Sequence, residues 1–151
     1  EAARLAPSAC NSQPWSFIVV DDPDLKNKLV KASCSGIYSM NAFAGDAPVL
    51  VVVITEKMKI SAAMGALIRN VQYKLIDLGI ACEHLCLRAA ELGLGTCMLG
   101  WFNERAVRKT LNLPWGTHID LLITLGYPAD SEIREKKRKP LKDVLSFNKG
   151  K

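Results

Sequence analysis

Three stretches of this 151-residue chain combine residue types and spacings that could do chemistry. Ala6-Pro-Ser-Ala-Cys-Asn-Ser-Gln-Pro-Trp15 is a polar loop stiffened by Pro7 and Pro14. Its Ser8, Asn11, Ser12 and Gln13 offer donors and acceptors without titrating charge, which suits a neutral heterocycle or a polyol. The alternative is a turn that merely satisfies its own backbone. Gly93-Leu-Gly-Thr-Cys-Met-Leu-Gly100 carries three glycines, but at GxGxxxxG spacing and after a helix, so it fails the dinucleotide fingerprint. Gly93 and Gly95 read as helix C-caps, whereas Gly100 lets backbone N–H groups approach a flat ligand. Lys136-Lys-Arg-Lys-Pro-Leu141 offers one planar guanidinium among point charges, a set suited to a phosphate group or simply to a solvated tail.

What the chain lacks narrows the chemistry further. It holds no Ser-His-Asp set and no paired catalytic carboxylates, and its two histidines, His84 and His118, read as helix packing and strand edge. No side chain is therefore assigned as a catalytic acid, base or nucleophile. Cys82 and Cys86 share a helix face, but His84 points elsewhere, so no metal site is assigned.

The elements that must position these stretches follow from periodicity and punctuation. A strand over Ser16–Val20 ends at Asp21-Asp22-Pro23, where Asp22 caps a helix running to about Ser33. Cys34–Asp46 reads as a loop, and Pro48–Ile54, apolar on both faces, as a central strand. Arg69 to about Leu92 reads as one dominant helix, too apolar all round for a surface helix, which predicts a subunit interface, the alternative being burial wholly within one chain. A short strand over Thr96–Leu99, a helix capped by Asn103, and a strand over Ile119–Leu125 complete an alternation of strands and helices in a single domain, residues 1–151.

Composition excludes other classes. Apolar residues make up 49% and charged residues 23%, ordinary for a globular domain. No apolar run reaches the roughly 18 residues that span a bilayer. The net charge of +5 is mostly C-terminal: residues 1–129 hold 12 basic and 11 acidic side chains, residues 130–151 hold 8 and 4. The basic run has no interleaved aromatics, so neither nucleic acid nor membrane is expected as a partner. Five scattered cysteines without a framework fit a reducing cytoplasm.

Taken in order, APSACNSQPW, the long helix with Asp77-Leu-Gly79, GLGTCMLG, LLITLGYP and KRKPL resemble the nitroreductase family of FMN enzymes, in particular the short members related to iodotyrosine deiodinase. The resemblance covers nearly the whole chain. It implies an α+β three-layer sandwich, with a central mixed sheet flanked by helices, built as an intertwined homodimer with FMN at the subunit interface. It implies that Pro7, Ser8, Ala9 and Asn11 line the flavin and its ribityl chain, and that Met98, Leu99 and Gly100 lie along the ring. Trp101, Phe43 and Tyr38 are candidates for the apolar wall over the flavin, the alternative being plain core. The resemblance also implies that Arg138, helped by Lys136 or Lys137, holds the phosphate, and that NADH or NADPH supplies electrons in a ping-pong cycle to a small oxidised acceptor. The alternatives are a flavin-dependent dehalogenase or a flavin-binding protein without turnover. Family members begin with an Arg-x-Ser-x-Arg stretch; here Glu-Ala-Ala-Arg-Leu opens as if in mid-helix, which raises the expectation of further residues upstream.

Overall fold

Five successive buried residues, Leu50 to Ile54, require a strand covered on both faces, and in the computed structural model they form the middle of β2 (Val49–Thr55). The structure describes residues 1–57, 60–130, 135–148 and 150. β1 (Trp15–Val20), β3 (Gly95–Leu99) and β4 (His118–Gly126) join β2 in a sheet of order β1-β2-β4-β3. Alternation along the two central strands feeds two cores. Leu50, Val52, Ile54 and Leu122 pack with Leu29 of α1 (Pro23–Ser33) and Val107 of α4 (Glu104–Thr110). On the other face, Val51, Val53 and Ile123 pack with Leu78 and Cys82 of α3 (Tyr73–Glu91). This is the expected α+β arrangement of helices on both faces of one sheet.

The sheet is not the mixed one expected. All three pairings among the described strands are antiparallel. The reason lies in the connections. α1 takes the chain back from the end of β1, and a run of 3-10 turns, Gly36–Asp46, returns it, so Leu50 enters opposite Val20.

Local signals fix most ends. The Asp22 side chain accepts the Leu25 N–H at 2.7 Å with Pro23 in the first helical position. Asn103 does the same for Ala106 at 3.0 Å. Gly93, at φ +75°, closes α3, with Leu94 N–H donating to the Ala89 carbonyl at 2.8 Å and Gly93 N–H to Ala90 at 3.0 Å. Gly95 is not a cap: it starts β3. Gly126 is required sterically, since a Cβ there would lie 2.5 Å from Pro48 Cδ.

The helix expected from Arg69 to about Leu92 starts later, at Tyr73 of α3, and Arg69 instead ends a separate helix, α2 (Ile60–Arg69), that was not expected. Asn70 takes φ +50° and ends α2, a conformation that asparagine tolerates better than most residues. α3 is thus 19 residues, about 28 Å by helix rise. It buries Asp77, Leu78, Ala81, Cys82 and Ala89 and leaves Leu75, Ile76 and Leu87 about half exposed. The described residues from 135 to 150 are exposed, including the apolar Leu141, Val144, Leu145 and Phe147 in and after the short α5 (Leu141–Val144).

Candidate functional site

The loop before β1 is built from strained, mutually bonded residues. Cys10, Asn11 and Gln13 all occupy the left-handed region, at φ +52°, +49° and +48°. Non-glycine residues there cost of order 1–3 kcal/mol each, so surrounding bonds must over-determine the turn. Several do. The Gln13 N–H donates to Ser8 Oγ at 2.9 Å, and the Gln13 side-chain amide donates to Asn11 Oδ1 at 2.9 Å. Asn11 N–H reaches the Ser8 carbonyl at 3.0 Å and Ser12 N–H the Ala9 carbonyl at 3.0 Å. Two longer-range bonds tie the loop to the body. Ala9 N–H donates to both carboxylate oxygens of Asp77, at 3.1 Å each, and Glu56 N–H donates to the carbonyl of the fully buried Pro14 at 3.0 Å. Pro7 and Asn11 remain exposed, and Ser8 and Ala9 partly so.

At the other sheet edge, β3 delivers Met98, Leu99 and Gly100. Leu99 is buried against Phe102 in the core, so it can meet a ligand only through its backbone, whereas Met98 and Gly100 are exposed. A Cβ on Gly100 would meet nothing closer than Leu121 Cδ2 at 3.9 Å. Packing within the chain therefore does not demand glycine there; a flat group lying on the backbone would. Trp101 follows and is tied to the 3-10 segment twice. Its indole N–H donates to the Ile37 carbonyl at 3.1 Å, and its own carbonyl accepts the Asn41 amide at 2.7 Å. Tyr38 packs on the Trp101 ring with centroids 5.2 Å apart, so two of the three expected wall aromatics meet.

Sequence reasoning missed the residues that hold this wall in place. Asn41 is one. Lys26 is another, a buried ammonium that donates to the Gly45 and Ala47 carbonyls and so fixes the far end of the same segment. A third feature is a bulge in β4: Val53 opposes Leu121 but Ile54 opposes Ile119, leaving Asp120 as the extra residue, bonded by the Thr55 hydroxyl. None has a local sequence signal, because each depends on a partner far along the chain.

The start of β1 lies at one end of the sheet, where Trp15 opposes Thr55 and Thr55 opposes His118. β3 runs toward that end but stops short of it, with Leu99 opposite Leu122, which opposes Val52 in mid-sheet. β1 and β3 are the two edge strands, separated by β2 and β4. A cleft of about 1110 Å³ opens at the end marked by Thr55 and His118, lined among others by Glu56, Lys57, Tyr73 and Lys74. Lys136 and Arg138 lie on the exposed tail, where Arg138 donates to the Lys137 carbonyl at 3.1 Å.

Cys82 and Cys86 do not supply reactive thiolates here. Burial, reinforced by Cys86 and the Asp120 carboxylate, pushes the Cys82 thiol up to about 11, and burial also raises Cys86. Both stay protonated at neutral pH. Among the described residues no three His, Cys, Asp or Glu side chains converge as a metal site, and no helix is long and apolar enough to cross a membrane.

Residues 1–127 match the Nitroreductase family. An oxygen-insensitive NADPH nitroreductase of Helicobacter pylori is 28% identical, over 97% of this chain and 82% of its own length. An iodotyrosine deiodinase of Thermotoga neapolitana is 26% identical, over 86% of this chain and 74% of its own. Among solved structures, an FMN-dependent nitroreductase of Clostridium difficile superposes with a TM-score of 0.69 at 27% identity, over 98% of this chain and 83% of that one.

Proposed function

We propose, on the premise that the chain belongs to the nitroreductase family, that it binds FMN and carries electrons from NADH or NADPH to a small nitroaromatic- or quinone-like acceptor in a ping-pong cycle. The observation that carries this reading is the Ser8–Gln13 turn, held in three left-handed conformations, together with a glycine after β3 that packing does not require. Backbone held this way clusters at ligand-binding sites. FMN, when bound, supplies the redox chemistry; the protein supplies orientation and electrostatics.

The residues of this chain divide that work. Pro7, Ser8, Ala9 and Asn11 present backbone and amide groups to the flavin and its ribityl chain. Asn11 Oδ1 is occupied by Gln13 and its backbone N–H by the Ser8 carbonyl, which leaves the side-chain Nδ2 group for the ligand. Met98, Leu99 and Gly100 lie along the ring, Leu99 through its backbone alone. Arg138, with Lys136, takes the phosphate; all four basic side chains from 136 to 139 are exposed and available. The protein works as a homodimer. Two observations support this: the half-exposed Leu75, Ile76 and Leu87 on α3, and the placement of the two halves of the site beside opposite edge strands of the sheet, which a second subunit bridges. Titration of flavin-free protein with FMN tests the reading. Saturable quenching of flavin fluorescence at micromolar concentration is expected, and its absence overturns the assignment.

A second reading rests on the similarity to the deiodinase of Thermotoga neapolitana. It gives the same flavin site a reductive dehalogenation. Halide release from a halogenated phenol, compared with nitro-group reduction under the same reductant, separates the two.

A further inference from the structure

We infer that Asp77 is a positioning residue for the cofactor: its carboxylate fixes the Ala9 amide and, through it, the turn that presents Ser8 and Asn11 to the flavin. The inference rests on the FMN reading above and adds a residue to which that reading gives no role.

Asp77 lies in the first half of α3 and is only 4% exposed. A buried carboxylate is costly unless it is paired or hydrogen-bonded. The ion pairs among the described residues are Glu1–Arg4, Arg88–Glu91 and Glu104–Arg108, and Asp77 is in none of them. Its donor is the Ala9 backbone N–H, 68 positions away, which both oxygens receive at 3.1 Å. The adjacent Leu78, with Ala81 and Cys82 further along, shows that this buried side of α3 accepts apolar residues. Packing alone therefore does not call for a carboxylate here.

What the carboxylate achieves is placement. The bonds among Ser8, Asn11 and Gln13 hold the turn together but do not fix it to the body of the domain. Pro14, bonded to Glu56, anchors its exit on the sheet. The Asp77 bond anchors its entrance on α3, immediately before Cys10 and Asn11 leave the right-handed region. With both ends fixed, the Ser8 and Asn11 groups keep one orientation. Without Asp77 the entrance is free to relax toward ordinary backbone conformations, and the ligand must reimpose the turn on binding.

The test uses Asp77→Ala and Asp77→Asn, each titrated as folded dimer with FMN. Asp77→Asn keeps an acceptor oxygen of the same reach, so it isolates the Ala9 contact from the charge. The expected result is a loss of FMN affinity of about tenfold or more in Asp77→Ala, with most of it restored in Asp77→Asn. Exchange of the Ala9 amide hydrogen, followed by NMR without flavin, should be slow in the wild type and fast in Asp77→Ala. A lower melting temperature with unchanged FMN affinity in the folded Asp77→Ala protein would mean a purely structural role and overturn the inference. So would equal affinity losses in the two variants, or an Ala9 amide that exchanges equally fast in all three proteins. If the wild type itself fails to bind FMN, the cofactor reading falls, while the exchange data still decide whether Asp77 holds the turn.

Discussion

The Asn41 side-chain amide donates to the Trp101 carbonyl at 2.7 Å, joining the 3-10 segment to the residue that follows Gly100. With the Trp101 indole bonded to Ile37, this makes a doubly tied wall at the end of β3. Asn41→Ala should lower stability by about 0.5–1.5 kcal/mol, the usual worth of one such bond. Urea unfolding measures it. A variant as stable as the wild type would show that the Trp101 carbonyl finds water as readily as Asn41.

Lys26→Met keeps the length of the side chain but leaves the Gly45 and Ala47 carbonyls without their donor. A loss of about 1–3 kcal/mol is expected, since unmade bonds at buried groups carry their desolvation cost. Urea unfolding reads this as well, and an unchanged midpoint would mean that the segment's end is held by packing alone.

Cys82 gives a pH signature. Its thiol rises from an ordinary 9.0 to about 11 on folding, mainly through burial. Between those values the native state holds a proton that the unfolded chain has released, so this group's contribution to stability falls as pH rises through the window. The wild type should therefore lose stability from about pH 9 to 11 more steeply than Cys82→Ala. Parallel slopes for the two proteins would contradict the burial assigned to Cys82.

How much of this was legible in the sequence depends on how local the cause is. Asp22 followed by Pro23, Asn103 before an apolar run, and Gly93 after α3 act within one helical turn, and each stands where the sequence put it. The late start of α3 was not legible, because Asn70 reads as tolerated in the first turn of a helix from Arg69 until its left-handed backbone is seen. The antiparallel sheet depends on whether the 34–46 segment returns the chain, which its composition does not say. At the site, the motif Pro7–Asn11 and the Met98–Gly100 turn were legible as types. Their attachments through Asp77, Asn41 and Lys26 were not, since each joins residues 19 to 68 positions apart.

The basic tail distinguishes a specific phosphate contact from general charge. A guanidinium offers two parallel donors at fixed spacing, which an ammonium does not. Arg138→Ala should weaken FMN binding about tenfold or more, Arg138→Lys should recover part of that loss, and Lys139→Ala should do little. Riboflavin, which lacks the phosphate, should be insensitive to Arg138→Ala. Equal losses for both ligands would remove Arg138 from the phosphate site.

The subunit arrangement is open to sedimentation. The half-exposed apolar face of α3 and the exposed apolar side chains from Leu141 to Phe147 predict a stable dimer at micromolar concentration. A folded monomer at that concentration, still able to bind FMN, would show that one chain completes the site alone.

Electron transfer through bound flavin is tested by anaerobic titration of the FMN-loaded protein with NADH and NADPH. The flavin absorbance should bleach stoichiometrically with at least one nicotinamide and return when a nitroaromatic or quinone acceptor is added. A flavin band that neither nicotinamide changes would contradict it, and would leave a protein that binds FMN without turning it over.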